Sequence, residues 1–170
     1  RDDLFASTPP LAATEILLSH VYSSSKIGYG GNRLMVLDVK RAFLYADIED
    51  TIYINLPSED PMSEKGYVGL LKKSMYGTRK APQSWQLLVR SVLLRLGFTA
   101  SVTVPSMFYH AERNIRLVTH VDDFLCSGKK NELNWLRECL SDEFEMTSSM
   151  IGFGHDEVKN AKFLGRAIKL

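Results

Sequence analysis

Ile115-Arg-Leu-Val-Thr-His-Val-Asp-Asp-Phe-Leu-Cys126 is the stretch whose reading decides the fold. Apolar residues Ile115, Leu117, Val118 and Val121 run up to Asp122-Asp123, and Phe124, Leu125 and Cys126 follow it. The pattern predicts two antiparallel strands with the acids at the tip of a tight turn. Aspartates favour turns, so a solvated Asp-Asp turn explains the pair taken alone. The flanks argue otherwise, because an apolar hairpin tipped by two acids presents charge beside a core.

Working outward, Met107 to His110 is a further strand, joined to the hairpin by the polar turn Ala111 to Asn114. Upstream, Leu34 to Val39 is apolar on both faces, as a central strand is. Asp38 interrupts it near its end, and a carboxylate among apolar residues is costly unless paired or bound to a metal. Residues 82–96 predict the clearest helix. Pro82 fits its first turn, Trp85, Leu88, Val89, Val92, Leu93 and Leu96 form one face, and Gly97 stops it. Residues 51–56 and 67–71 read as short strands around a polar turn. Downstream, 132–141 reads as a helix burying Leu133, Leu136 and Leu140, then come a strand at 144–147, a loop at 148–160 and a strand over 162–170. Near the start, Thr8-Pro9-Pro10 opens a helix with Leu11, Ile16, Leu17, Val21 and Tyr22 on one face, ended by the Ser- and Gly-rich 23–31.

With 41–80 left aside, the order is strand, helix, strand, strand, helix, strand. That is an α+β chain of the split βαβ, ferredoxin-like type. In that arrangement the first strand lies beside the hairpin, so Asp38 can face Asp122 and Asp123. Three convergent carboxylates make a site for two hard divalent cations about 3.5–4 Å apart, the layout that supports phosphoryl transfer.

Composition sets bounds. The chain has 170 residues, 45% hydrophobic and 24% charged, which suits one folded domain rather than disorder. With 21 basic and 20 acidic residues the net charge is +1, so overall charge gives no support to nucleic-acid binding and only local clusters can. The stretch 65–80 is such a cluster: Lys65, Lys72, Lys73, Arg79 and Lys80, with no acid. Cys126 and Cys139 show no metal-site spacing and fit a reduced intracellular protein, in cytoplasm or nucleus. No apolar run reaches the roughly 18 residues of a membrane span, so no membrane partner is expected. A start at Arg1 reads as an excised fragment.

Four motifs carry a family resemblance. Leu37-Asp-Val-Lys-Arg-Ala-Phe-Leu44 resembles the D-V-K-x-A-F-L motif of Ty1/copia-type reverse transcriptases. Leu71-Lys-Lys-Ser-Met-Tyr-Gly-Thr-Arg-Lys-Ala-Pro-Gln-Ser-Trp85 resembles their L-K-K-S-L-Y-G-L-K-Q-A-P-R-Q-W, the longest and most specific of the four. His120-Val-Asp-Asp123 resembles Y-V-D-D, and Phe163-Leu-Gly165 resembles the F-L-G strand after the palm. They occur in the family's order and span 37–165. A weaker likeness reaches Asp3-Leu-Phe-Ala6.

The resemblance implies a polymerase palm with an inserted fingers segment. It implies a single partial domain over 1–170, with 1–33 and 41–80 of fingers type and 34–40 and 81–170 of palm type. The implied activity is RNA-directed DNA polymerisation, adding dNTPs to a primer 3′-hydroxyl. Asp38, Asp122 and Asp123 would be catalytic, and with the Val39 carbonyl they would ligate two Mg²⁺ ions, Mn²⁺ being an alternative. Val39, Phe43, Tyr76, Gly77 and Lys80 would bind the nucleotide, Phe43 excluding a 2′-hydroxyl. Lys72, Lys73, Arg79, Pro82, His120, Phe163, Leu164 and Gly165 would meet an RNA or DNA template and the primer. Thumb, RNase H and integrase segments of a polyprotein would be partners.

The chain departs from the pattern at His120, in place of the usual Tyr, and at Arg166-Ala-Ile168, where the family tends to apolar-acidic-apolar. The loop 148–160 reads as longer than usual. Two competing readings follow: a decayed or domesticated copy that binds nucleic acid or protein without catalysis, and a palm-type nucleotide cyclase. The second leaves Lys72 to Trp85 unexplained.

Overall fold

The computed structural model describes residues 9–23 and 31–169. Expectations placed on Asp3 to Ala6, Thr8 and Ser24 to Gly30 lie outside them.

Helix α1 (Leu11–Ser23) comes first, then strand β1 (Arg33–Val39) and a 3-10 turn at Ala42–Tyr45. The hairpin β2 (Tyr53–Asn55) and β3 (Val68–Leu70) forms its own two-stranded sheet. Next are α2 (Ala81–Arg95), β4 (Thr99–Ala100), β5 (Met107–His110), β6 (Ile115–His120), β7 (Asp123–Gly128), α3 (Lys130–Ser141) and β8 (Met146–Ile151). A second hairpin, β9 (Asn160–Phe163) and β10 (Arg166–Lys169), ends the described chain.

The main sheet runs β4-β5-β6-β7-β1-β8, with β1 antiparallel to both neighbours. Elements β1, α2, β6, β7, α3 and β8 therefore alternate in the β-α-β-β-α-β order of a split βαβ unit, within an α+β chain. The crossover through α2 leaves room for β7 between β1 and β6, which is why the first strand and the aspartate hairpin are neighbours.

Strand periodicity divides the core into two layers. Met35, Leu37 and Val39 of β1, Ile115 and Leu117 of β6, and Phe124 and Cys126 of β7 pack against α2 and α3. Trp85, Val89, Val92 and Leu93 face them from α2, and Leu133, Leu136 and Leu140 from α3, each within 3% of full burial. The 3.6-residue spacing legible in both helices is realised there. The opposite face carries Leu34, Val118, Leu125 and Ile151, covered by Ala13 and Leu17 of α1 and Phe163 of β9.

Several boundaries depart from expectation. In α1 the buried stripe is Ala13 and Leu17, whereas Leu11, Ile16 and Tyr22 are exposed. Pro9 and Pro10 precede the helix, and Pro10 contributes its carbonyl to the Ala13 N–H. Residues 148–151 continue β8 rather than opening a loop, because they pair with β1. The single strand expected over 162–170 is a hairpin. Leu164 and Gly165 both have positive φ, 51° and 72°, which is the backbone of a tight two-residue turn. Leucine is a poor signal for that geometry, so the turn was hidden in the sequence.

Two buried polar anchors fix the covering segments. His20 of α1 reaches β7. The Asn32 amide donates to His20 Nε2 at 2.9 Å and to the His20 carbonyl at 3.2 Å, placing the ring proton on Nδ1, 2.9 Å from Ser127 Oγ. Burial, then the Arg116 charge, pull the imidazole down to about 4 from 6.5. The second anchor is Glu157, whose side chain is 1% exposed. It accepts from Arg33 Nε at 3.0 Å and the Gly154 N–H at 2.7 Å, with Lys130 Nζ at 3.2 Å. A Cβ at Gly152 would stand 1.9 Å from Glu157 Oε2, so the loop can close around this carboxylate only with glycine there. Burial pushes the Glu157 carboxyl up, but the Gly154, Lys130 and Arg33 bonds outweigh it and hold it below its usual range.

Both anchors predict acid sensitivity. A histidine whose folded pKa is lowered binds its proton first in the unfolded chain, so its contribution is complete above 6.5 and fades down to about 4. Urea unfolding at pH 7 and pH 5 should show a loss in the wild type that shrinks in His20→Gln; equal losses would refute the assignment. Glu157 contributes above the ordinary carboxylate range and is lost as pH falls through its depressed pKa. Glu157→Gln should lower stability at neutral pH by about 2 kcal/mol, below the usual cost of breaking a buried pair because Arg33 and Lys130 reach water. An unchanged urea midpoint would show that the cluster contributes nothing.

Candidate active site

Register places the acids. Asp38 of β1 is the cross-strand partner of Asp123 of β7, and Asp123 is the partner of His120 on β6. On the other side Asp38 pairs with Thr147 of β8. Directly paired residues share a face, so His120, Asp123, Asp38 and Thr147 form one row across four strands. The face is that of α1, opposite α2 and α3. The Val39 N–H bonds the Asp122 carbonyl at 2.9 Å, making 39 and 122 a hydrogen-bonded pair. Asp38 and Asp123 are then the closer, non-bonded kind of pair.

The hairpin tip differs from expectation in one respect. The turn residues are Val121 and Asp122, while Asp123 already belongs to β7. Val121 has φ 51°, the left-handed region. A β-branched residue there is an outlier, costing about 1–3 kcal/mol. Its carbonyl accepts from Trp85 Nε1 at 2.6 Å.

Asp38 is exposed, and Asp122 and Asp123 are half-buried. Asp38, flanked by apolar residues in the sequence, thus sits at the open, exposed end of its strand. Burial, then the charges of Asp122 and Asp38, raise the Asp123 carboxyl above its ordinary value, with His120 opposing. Its ionised form is thus unfavourable in the fold, a cost relieved by a proton or a cation. Among the described residues no ion pair reaches Asp38, Asp122 or Asp123. Among the described residues the buried Nδ1 of His120 also has no hydrogen-bond partner.

The donors are hard oxygens with uncompensated negative charge, which suits a divalent cation. Among the described residues, however, no three His, Cys, Asp or Glu side chains are gathered closely enough to hold one as they stand. Mutual repulsion keeps bare carboxylates apart, and the exposed Asp38 has no ion pair to break in turning toward the others.

A cleft of about 960 Å³ opens over His120 to Asp123. Pro9, Leu11, Thr14 and Glu15 of the α1 end form one wall, and Phe163, Leu164, Arg166 and Lys169 of the second hairpin the other. The sequence had marked Phe163, Leu164 and His120 but not Glu15, Arg166 or Lys169. Their joining depends on how α1 and the hairpin pack on the sheet, which no local pattern encodes.

The remaining expected residues lie elsewhere. Phe43 is buried in the 3-10 turn beneath Tyr76, ring centroids 4.6 Å apart, and Tyr76 is half exposed. Gly77 has φ 90° in a turn closed by the Thr78 N–H on the Met75 carbonyl, so glycine there serves the backbone. Pro82 sits in the first turn of α2. In the basic stretch, Lys73 pairs with Asp47 at 2.6 Å, and Lys80 with Asp50 at 2.8 Å and Glu49 at 3.6 Å. Lys72 and Arg79 are exposed, and among the described residues neither has an ion-pair partner. Two of the five expected phosphate contacts are thus already engaged within the chain.

Comparison with known proteins identifies the family. Residues 26–165 match the family model described as reverse transcriptase (RNA-dependent DNA polymerase). The retrovirus-related Pol polyprotein from transposon TNT 1-94 of Nicotiana tabacum is 35% identical over 115 residues, 65% of this chain and 9% of that protein. The corresponding polyprotein from transposon RE1 of Arabidopsis thaliana is 34% identical over 95 residues, 54% of this chain and 6% of that protein. The transposon Ty1-DR1 Gag-Pol polyprotein of Saccharomyces cerevisiae is 28% identical over 134 residues, 78% of this chain and 7% of that protein. The chain spans less than a tenth of the length of these relatives. It belongs to the reverse transcriptase (RNA-dependent DNA polymerase) family, as a reverse transcriptase domain of the Ty1/copia retrotransposon type.

Proposed function

We propose that this chain is the fingers-and-palm part of an RNA-directed DNA polymerase, extending a primer 3′-hydroxyl with dNTPs. The observation that carries the reading is the cross-strand pairing of Asp38 with Asp123, which together with Asp122 in the turn lines an open cleft. Family membership supports it. The domain division follows from the same reading: 34–40 and 81–170 as palm, 1–33 and 41–80 as fingers.

Asp38, Asp122, Asp123 and the Val39 carbonyl would hold divalent cations, Mg²⁺ or Mn²⁺. Such ions supply activation of a hydroxyl nucleophile and neutralisation of phosphate charge. The chain's own residues do the positioning on which phosphoryl transfer depends. Val39 ties β1 to the turn through its N–H. Phe43, backed by Tyr76, would discriminate against a 2′-hydroxyl. Gly77, Lys80 and Pro82 would border the nucleotide and template. Lys72 and Arg79 remain available for template phosphates; Lys73 and Lys80 would first have to leave Asp47 and Asp50. Arg166 and Lys169 on the cleft wall suit the primer backbone, beside Phe163, Leu164 and Gly165, with His120 on the floor. Nucleic acid and the other segments of a retrotransposon polyprotein would be its partners, inside the cell.

In a protein that retains its flanking segments, Asp38→Asn and Asp122→Asn should each abolish Mg²⁺-dependent primer extension, read on a template–primer with labelled dNTPs. Undiminished extension by both variants would end the assignment. Salt-dependent template binding by the wild type without incorporation would replace it with a non-catalytic binding role.

A further inference from the structure

We propose that Trp85 is a positioning residue for the aspartate hairpin, its indole N–H holding the left-handed turn that sets Asp122 and Asp123 beside Asp38. The inference rests on the polymerase reading of those aspartates and extends it into the layer beneath the sheet.

Trp85 is 1% exposed and belongs to α2, on the face of the sheet away from the cleft. A buried indole must satisfy its N–H, and this one does so on the Val121 carbonyl at 2.6 Å. That acceptor belongs to a β-branched residue at φ 51°, a conformation that glycine or asparagine would adopt more readily. The turn is therefore not held by its own sequence. Two contacts hold it: the Trp85 indole on Val121 and the Val39 N–H on the next carbonyl, that of Asp122. One comes from the helix layer and one from β1, so the tip is fixed between the elements that carry the facing carboxylate. The ring itself is braced by Phe144 at 5.0 Å and Tyr45 at 6.2 Å, so the N–H is aimed by packing and not by a flexible chain. If the indole let go, Val121 would relax toward the ordinary β region. Asp122 and Asp123 would then turn relative to Asp38 while the core stayed intact.

Trp85→Phe keeps an aromatic ring and deletes the donor. In the flanked protein it should lower kcat for primer extension about tenfold or more, with template–primer KM unchanged. The cost should be largely relieved in a Val121→Gly background, because glycine takes positive φ without help. Val89→Ala, in the same helix, serves as the packing control. Equal additive losses from Trp85→Phe in both backgrounds, or losses that merely track the melting temperature as Val89→Ala does, would overturn the proposal.

A second measurement does not depend on polymerisation. The chain has two tryptophans, so the indole N–H spectrum of the ¹⁵N-labelled chain gives two resonances, with Trp135 as internal reference. Titration with Mg²⁺ or Mn²⁺ should perturb the Trp85 resonance and spare that of Trp135. A perturbed Trp85 in a protein that never extends a primer would keep the positioning role and remove the polymerase reading. An unperturbed Trp85 on saturation with the metal, with extension intact, would remove the positioning role alone.

Discussion

Everything at this site depends on the antiparallel pairing of β1 with β7. It sets two carboxylates opposite each other, an arrangement that by itself destabilises a sheet. The opposite face of the same strands supplies the compensation, with Met35, Leu37 and Val39 against Phe124 and Cys126 beneath α2 and α3. Because strand side chains alternate, a one-residue slip would turn a strand's residues away from α2 and α3 and onto the face of α1 and the cleft. The core therefore enforces the register, and the register enforces the proximity of Asp38 and Asp123. Charge repulsion at the site is a consequence that the fold tolerates.

The same division of labour operates at the hairpin tip. A positive φ at a valine is unfavourable locally, yet the turn is short because β6 and β7 must both run to its edge. Contacts from α2 and β1 hold it, so the helix layer acts on the cleft from behind the sheet, through the Val121 carbonyl. Sequence propensity and tertiary demand conflict at Val121, and such conflicts concentrate where function constrains the backbone.

The strand pattern around 115–126, the amphipathic stripe read over 82–96 and the break at Gly97 were all legible, because each is a local consequence of burial periodicity. So was the neighbourhood of Asp38 and the Asp pair, since the alternation of elements leaves few topologies. Other features were illegible for reasons that are equally physical. The Leu164-Gly165 turn carries a leucine at one of its two positive-φ positions, and α1 buries a small residue, Ala13, where larger apolar ones were expected. The loop read into 148–160 begins with the last four residues of β8, where Ser148 and Ser149 are exposed because β8 is the edge strand of the sheet. The pairing of Lys73 and Lys80 with Asp47, Glu49 and Asp50 joins residues about 30 positions apart, beyond any local charge pattern. The part of Trp85 beyond packing depended on a single N–H whose acceptor only the fold reveals.

The placement of the buried anchors follows from the need for an open floor. Segments that cover the cleft face, α1 and the second hairpin, cannot be tied down beside the aspartates without filling the cleft. His20 is instead fixed to Ser127 and Asn32, and the loop preceding β9 is fixed to Arg33 through Glu157. Arg33 and Ser127 lie at the opposite ends of β1 and β7 from Asp38 and Asp123, some 13–17 Å away at strand rise. Both walls are thus held at one end and reach over the floor from the other. The carboxylate register is fixed by the opposite layer, so neither wall is needed to hold it, and the contacts that secure α1 and the second hairpin lie away from the acids.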